Sequence, residues 1–204
     1  MSPTTPTGKV IPTPTGRDIV LERVLPGSID DAWASITESD RLARCFCTWI
    51  GEPRVGATVE LRLVAEEGDA TSHAEILAYE PPTHLVVSTH DPGGSLVLEA
   101  TLTPIDSDHS RLRFVHHLDE EAKSEEVGPG WEYYLDALVA AMNGNPMPDF
   151  DDYCPSLAPG TPIGTLCRDP HRIRSPRPSS CRHGMERVRT LGARAAQPNR
   201  HTVR

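Results

Sequence analysis

The stretch GPGWEYYLDALVAAMNG, residues 128–144, limits the folds open to this chain more than any other. Trp131, Tyr134, Leu135, Leu138 and Met142 recur at i, i+3, i+4, i+7 and i+11, the spacing of one helical face. At about 100° per residue they lie within about 60° of one direction, and Glu132, Asp136 and Asn143 fall on the far, wet side. Gly128, Pro129 and Gly130 break the chain beforehand, so the spacing predicts a helix over 130–143, with Gly144 suited to its C-terminal cap. Such a helix must lie on an apolar partner.

The rest of the chain supplies one. DIVLERVL (18–25) reads as a strand stopped by Pro26-Gly27. Ser28 with Asp31 forms a capping box ahead of Ile29, Ala32, Trp33 and Ile36 on one helical face. A second short helix, about 38–46, puts Leu42, Cys45 and Phe46 on one side. From residue 54 the period becomes two: Val59, Leu61 and Leu63 alternate with Thr58, Glu60 and Arg62. SHAEILAYE (72–80) and HLVVSTH (84–90) flank Pro81-Pro82, and Leu96, Leu98, Ala100 and Leu102 alternate in the next strand. RLRFVHHL (111–118) turns Leu112, Phe114, His116 and Leu118 one way and Arg111, Arg113, Val115 and His117 the other. Turn signals at DPGG (91–94) and DSDH (106–109) make this an antiparallel meander. The expected order is strand, two short helices, about five strands and one long helix. This is an α+β fold in which a curved antiparallel sheet wraps on the long C-terminal helix.

Charge divides the chain. Residues 1–160 hold 27 acidic and 10 basic side chains, a balance of −17, while 161–204 hold 2 acidic residues and 10 arginines, a balance of +8. The acidic charge of the body disfavours nucleic acid and anionic membrane surfaces as its partners; the tail has the charge to bind them. Residues 1–16, rich in Pro, Thr and Gly, are expected to form a disordered leader, and 17–157 the folded domain. Residues 158–204 are expected to be a disordered Arg/Pro-rich tail. It has the composition of either a basic nucleic-acid-binding arm or a shifted, non-native reading frame of GC-rich coding sequence. No apolar run reaches the 18 or so residues of a membrane span, and no hydrophobic signal segment opens the chain, so a cytoplasmic location is expected. Cys45, Cys47, Cys154, Cys167 and Cys181, odd in number and irregular in spacing, are expected to be reduced thiols.

The phrases IDDAWASITESDRLARCF, RVGATVEL, AEILAYEPPTHLVVS, LEATLTP, SRLRFVHH and GPGWEYYLDALVAAMNG carry a resemblance. In that order, and on those elements, they resemble the family related to the activator of heat-shock-protein-90 ATPase (Aha-type, C-terminal domain). That family lies within the START-like SRPBCC superfamily of helix-grip folds. The resemblance covers roughly residues 17–155 and implies a binder of a small hydrophobic molecule, or a stress- or chaperone-associated module with a protein partner. The superfamily also includes polyketide cyclases, so the alternative is an enzyme that uses pocket polar groups such as His116. This chain has Cys45 where the family pattern usually has Trp, and after DDYCPSL (151–157) it departs from the Tyr-rich end of the family.

The candidate ligand-lining residues are Trp33, Phe46, Trp49, Phe114, His116, Trp131, Tyr134, Leu135 and Leu138. The helical stripe alone suits an ordinary core as well as a pocket roof. His116 suits a ligand contact or a core histidine tied to a polar neighbour. His116 and His117 point to opposite faces of a strand and cannot chelate one ion as a pair. The Cys45-Phe46-Cys47 pair has no companion at zinc-site spacing. No phosphate loop, metalloprotease motif, nucleophile elbow or dinucleotide fingerprint occurs. No cofactor, metal ligand or catalytic residue is therefore assigned, and the protein is expected to be a monomer or homodimer.

Overall fold

The computed structural model describes residues 6–63, 71–91, 94–119 and 124–153. The tail at 158–204 and Cys154, Cys167 and Cys181 lie outside the described residues. The elements are β1 (Lys9–Thr13), β2 (Gly16–Pro26), α1 (Ile29–Thr37), α2 (Ser39–Leu42), β3 (Cys47–Ile50), β4 (Thr58–Leu63), β5 (Thr71–Glu80), β6 (His84–Asp91), β7 (Gly94–Pro104), β8 (His109–Asp119) and α3 (Ser124–Met142). A short 3-10 turn follows at Phe150–Asp152.

The strands form one antiparallel sheet in the order β1-β2-β8-β7-β6-β5-β4-β3. It runs as a meander from β3 to β8 and closes by pairing β8 with β2, Leu21 opposite Phe114 and Leu25 opposite Ser110. Alternation turns Ile19, Leu21, Leu25, Leu112, Phe114, His116 and Leu118 toward the interior, where α3 contributes Leu135, Ala137 and Leu138 to the same core. The curved antiparallel sheet on a long C-terminal helix expected from the periodicities, and the helix-grip fold that the resemblance implies, are observed.

Local signals act as the residues suggest. Ser28 accepts from the Asp31 backbone N–H (3.2 Å) and its hydroxyl donates to the Asp31 carboxylate (3.0 Å), which starts α1. Gly144, at φ 69°, ends α3 in a left-handed turn, and the Asn145 N–H donates to the Ala140 carbonyl at 2.8 Å.

Four expectations are corrected. The leader is not featureless over Lys9–Thr13, which pairs with β2 from Lys9 opposite Val20 to Thr13 opposite Gly16. Backbone pairing holds this edge strand without any apolar alternation, and an edge tolerates the missing N–H of Pro12. The second helix ends at Leu42, and Cys47–Ile50 instead forms β3, with Cys47 and Trp49 turned inward. Helix α3 begins at Ser124 and carries Pro129 inside it; so close to the start, the proline removes a single backbone bond. Finally, Glu132 is not on a wet face but 3% exposed, for a reason given next.

Arg23 interrupts the inward row of β2 between Leu21 and Leu25. A guanidinium facing a core needs partners, and α3 provides two. Arg23 Nη2 donates to Glu132, and Nε donates to Asp136 Oδ1 at 2.7 Å. Glu132 Oε1 also accepts the backbone N–H groups of Thr7 (2.6 Å) and Gly8 (2.7 Å), and its Oε2 accepts the Thr7 hydroxyl at 2.9 Å. Asp136 Oδ2 accepts the Tyr153 hydroxyl at 2.8 Å. The segment before β1 and the segment after α3 therefore cover what would otherwise be the solvent side of the helix.

Candidate functional site

The inward side of α3 is aromatic at its first half. Trp131 lies 4.6 Å, centroid to centroid, from Phe114 on β8 and 5.9 Å from Phe46 in the turn after α2. Tyr134 stands edge-on to Phe46 at 4.8 Å. Phe46, Trp131 and Tyr134 are half-buried, so this cluster begins at the surface between α3 and the α2–β3 turn and continues inward to Phe114 and His116.

His116 forms the floor. Its strand position directs it inward, where it is 1% exposed, while His117 faces the convex side of the sheet. The Trp131 indole N–H donates to His116 Nδ1 at 3.0 Å, and the two rings meet nearly perpendicular. Burial, helped by the His117 charge, pushes the imidazole pKa down to about 4, so the ring is neutral at pH 7. Three buried polar atoms of the interior, His116 Nε2, Thr89 Oγ1 and Trp49 Nε1, have no hydrogen-bond partner among the described residues.

The structure thus brings Phe46, Phe114, His116, Trp131 and Tyr134 together. Leu135 and Leu138 continue the helix's core face beyond them. Trp33 belongs elsewhere: its aromatic neighbour is Tyr79, edge-on at 5.3 Å. Trp49 is buried on β3, and its backbone N–H donates to Ser39 Oγ at 2.9 Å. An open surface cleft of about 230 Å³ lies at the other end of α3, lined by Pro26, Gly27, Arg41, Arg44, Leu138 and Met142. Leu138 alone of the nine candidates touches it, and Arg44 is already engaged there with the Ala141 carbonyl at 2.7 Å.

Other titratable groups have structural partners. Burial pushes the Cys45 and Cys47 thiols up to about 11 and about 12, which makes them poor nucleophiles. On the convex face Asp18, His117, Glu99 and His84 form a row across four strands, with contacts of 2.8, 3.2 and 3.0 Å. Burial alone would raise the Glu99 carboxyl; hydrogen bonds with His84 and His117 outweigh it and hold it below the usual range. Among the described residues no group of three or more His, Cys, Asp or Glu side chains is arranged to hold a metal ion. No helix among them is long and apolar enough to cross a membrane.

Sequence reasoning missed Arg23, Glu132 and Asp136. The signal was a charge at an inward strand position, which requires an acidic partner somewhere opposite.

Comparison with known proteins adds the family. The model of the family described as Activator of Hsp90 ATPase homolog 1-like protein matches residues 26–143. No curated protein matches the chain. Among solved structures, CalU16 from Micromonospora echinospora is 24% identical with a TM-score of 0.55, over 91% of this chain and 92% of that one. EF2215 from Enterococcus faecalis, a conserved protein of unknown function, is 19% identical with a TM-score of 0.59, over 72% and 85%. DynU16, from the dynemicin biosynthetic locus, is 19% identical with a TM-score of 0.54, over 65% and 50%. At these identities the likeness concerns the fold.

Proposed function

This chain belongs to the Activator of Hsp90 ATPase homolog 1-like family, and from that premise we propose that it binds a small, largely apolar molecule between the first half of α3 and the sheet. One observation carries the reading. A half-exposed aromatic cluster, Phe46, Trp131 and Tyr134, stands over a fully buried histidine whose Nε2 has no hydrogen-bond partner among the described residues. Small-molecule sites combine apolar walls with a few placed polar groups, and this region has both. Aromatic rings that reach the surface offer a route inward when they turn aside, which a closed aliphatic core lacks.

The same observation weighs against the enzymatic alternative. A base must accept a proton near the working pH. His116 has Nδ1 occupied by the Trp131 N–H and a pKa driven down to about 4 by burial. It suits holding a ligand better than moving a proton. A purely protein-binding module would have no use for an unmet polar group at the floor of its core.

Two measurements test the proposal. Native mass spectrometry of the intact protein is expected to find a co-purified small molecule or to accept an added apolar dye at one-to-one stoichiometry. Phe114→Trp, which enlarges the side chain packed against Trp131, is expected to weaken dye binding while the protein stays folded. A dye that binds the variant as well as the native protein would end the reading.

A further inference from the structure

The surroundings of His116 determine where its proton sits. An indole nitrogen can only donate, so the 3.0 Å contact from Trp131 Nε1 makes His116 Nδ1 an acceptor. A ring kept neutral by burial carries one proton, and with Nδ1 accepting, that proton is on Nε2. This buried N–H finds no acceptor among the described residues. Its inward-facing neighbours within the sheet offer none: Ile19 and Leu98 lie opposite on the flanking strands, and Phe114 and Leu118 lie two residues away on its own strand. All four are hydrocarbon on this face. A buried donor left unmet costs more free energy than a made hydrogen bond returns, so selection would ordinarily remove it from a core.

We propose that the molecule held beneath α3 presents a hydrogen-bond-accepting oxygen, that of an uncharged carbonyl group, to Nε2–H of His116. The inference rests on the binding reading above and specifies the chemistry of its ligand. An ammonium has only hydrogens to offer and meets a donor. A carboxylate brings a charge that a neutral imidazole and four hydrocarbon neighbours cannot compensate. A hydroxyl can accept, but it adds a hydrogen that needs an acceptor of its own. A carbonyl meets the N–H and adds nothing unmet. Trp131 is then a positioning residue: its N–H holds the tautomer that makes His116 a donor.

The test uses two planar probes that differ in a single carbonyl, 9-fluorenone and fluorene, with affinities measured by equilibrium dialysis against the full chain at pH 7. Fluorenone is expected to bind about 5- to 30-fold more tightly, the range of one hydrogen bond to a buried donor. In His116→Phe, which keeps the ring volume and removes the donor, that preference is expected to disappear while fluorene still binds. Equal binding of the two probes to the native protein would overturn the carbonyl inference and leave the binding reading standing. Binding of neither would remove both. Imidazole nitrogen NMR of the native protein gives an independent check that does not depend on the variant folding. It is expected to show Nε2 protonated and Nδ1 bare, with the Nε2–H signal shifted by fluorenone and unmoved by fluorene. A proton on Nδ1 would overturn the proposal outright.

Discussion

Helix α3 buries polar groups on two of its sides and treats them differently. On one flank Glu132 and Asp136 take Arg23, two backbone amides, the Thr7 hydroxyl and the Tyr153 hydroxyl, so that the buried charges are matched by donors. On the underside Trp131 satisfies one nitrogen of His116, and the other has no partner among the described residues. A saturated network specifies one packing of the chain and offers nothing to a solute. An unsaturated donor in an otherwise apolar site is an affinity waiting for its acceptor. The flank holds the helix, and the underside carries the proposed site.

The largest expected effect tests the flank. Glu132→Ala takes from the Arg23 guanidinium, whose side chain is 11% exposed, one of its two carboxylate partners and leaves two backbone N–H groups without their acceptor. It should lower stability by about 3–5 kcal/mol, the combined cost of two unmet backbone donors and a weakened buried pair. Glu38→Ala, on an exposed pair with Arg41, should change it by under about 0.5 kcal/mol. Equal urea midpoints for the two variants would show that the flank is solvated and erase the contrast. Next comes the apolar seam between the two sides. Leu138 is 5% exposed in the main core, so Leu138→Ala should cost about 2–5 kcal/mol by the same measurement. A loss below 1 kcal/mol would mean that the helix is not packed on the sheet there.

The two sides also differ in how much of each is legible in the sequence. The underside is visible because its signals are local: a helical stripe from Trp131 to Met142, and strict alternation that turns His116 in and His117 out. Glu132 appears wet by the same rule, because its partner Arg23 lies 109 residues earlier and the amides it binds belong to Thr7 and Gly8. Periodicity describes one element and says nothing of the segment that covers it. Strand β1 escapes for a related reason, since it is held by backbone pairing with no apolar pattern of its own. Arg23 was the available clue, a charge between Leu21 and Leu25 on an inward row. The missing partner of Nε2 was not legible at all, because it depends on what four neighbouring positions fail to offer.

Acid separates the two sides by their protons. The His116 pKa lies at about 4 in the folded protein, against about 6.5 for an unfolded histidine. The unfolded chain therefore binds more protons between these values, and stability rises with pH across that window. The contribution is fully present above about pH 6.5 and is lost as pH falls toward 4, on the order of 3 kcal/mol over the interval. In His116→Phe that part of the pH dependence should vanish, leaving the smaller acid loss from carboxylates such as Glu99, whose folded pKa is lowered. Parallel stability–pH curves for the two proteins would mean that His116 titrates normally and is not buried neutral.

The smallest effect concerns the half of the helix that carries the aromatic cluster. Gly128, Pro129 and Gly130 fall within the first turns of α3, just ahead of Trp131, and each glycine weakens a helix by about 0.5–1 kcal/mol relative to alanine. A methyl group added at Gly130 would meet nothing within 4 Å, whereas at Gly128 the ring of the following Pro129 disfavours a helical residue with a Cβ and offsets the backbone gain. Gly130→Ala should raise stability by up to about 1 kcal/mol and Gly128→Ala by less, and in Gly130→Ala amide exchange should slow over 124–131 while remaining unchanged at Thr7 and Gly8. That pattern would show that the underside is the looser of the two regions in the native state, with the flank clamp as its fixed support. If Gly130→Ala instead lowers stability, the space around the first turns is occupied. The weak start of α3 would then be a consequence of packing there rather than a separate property of the ligand-facing side.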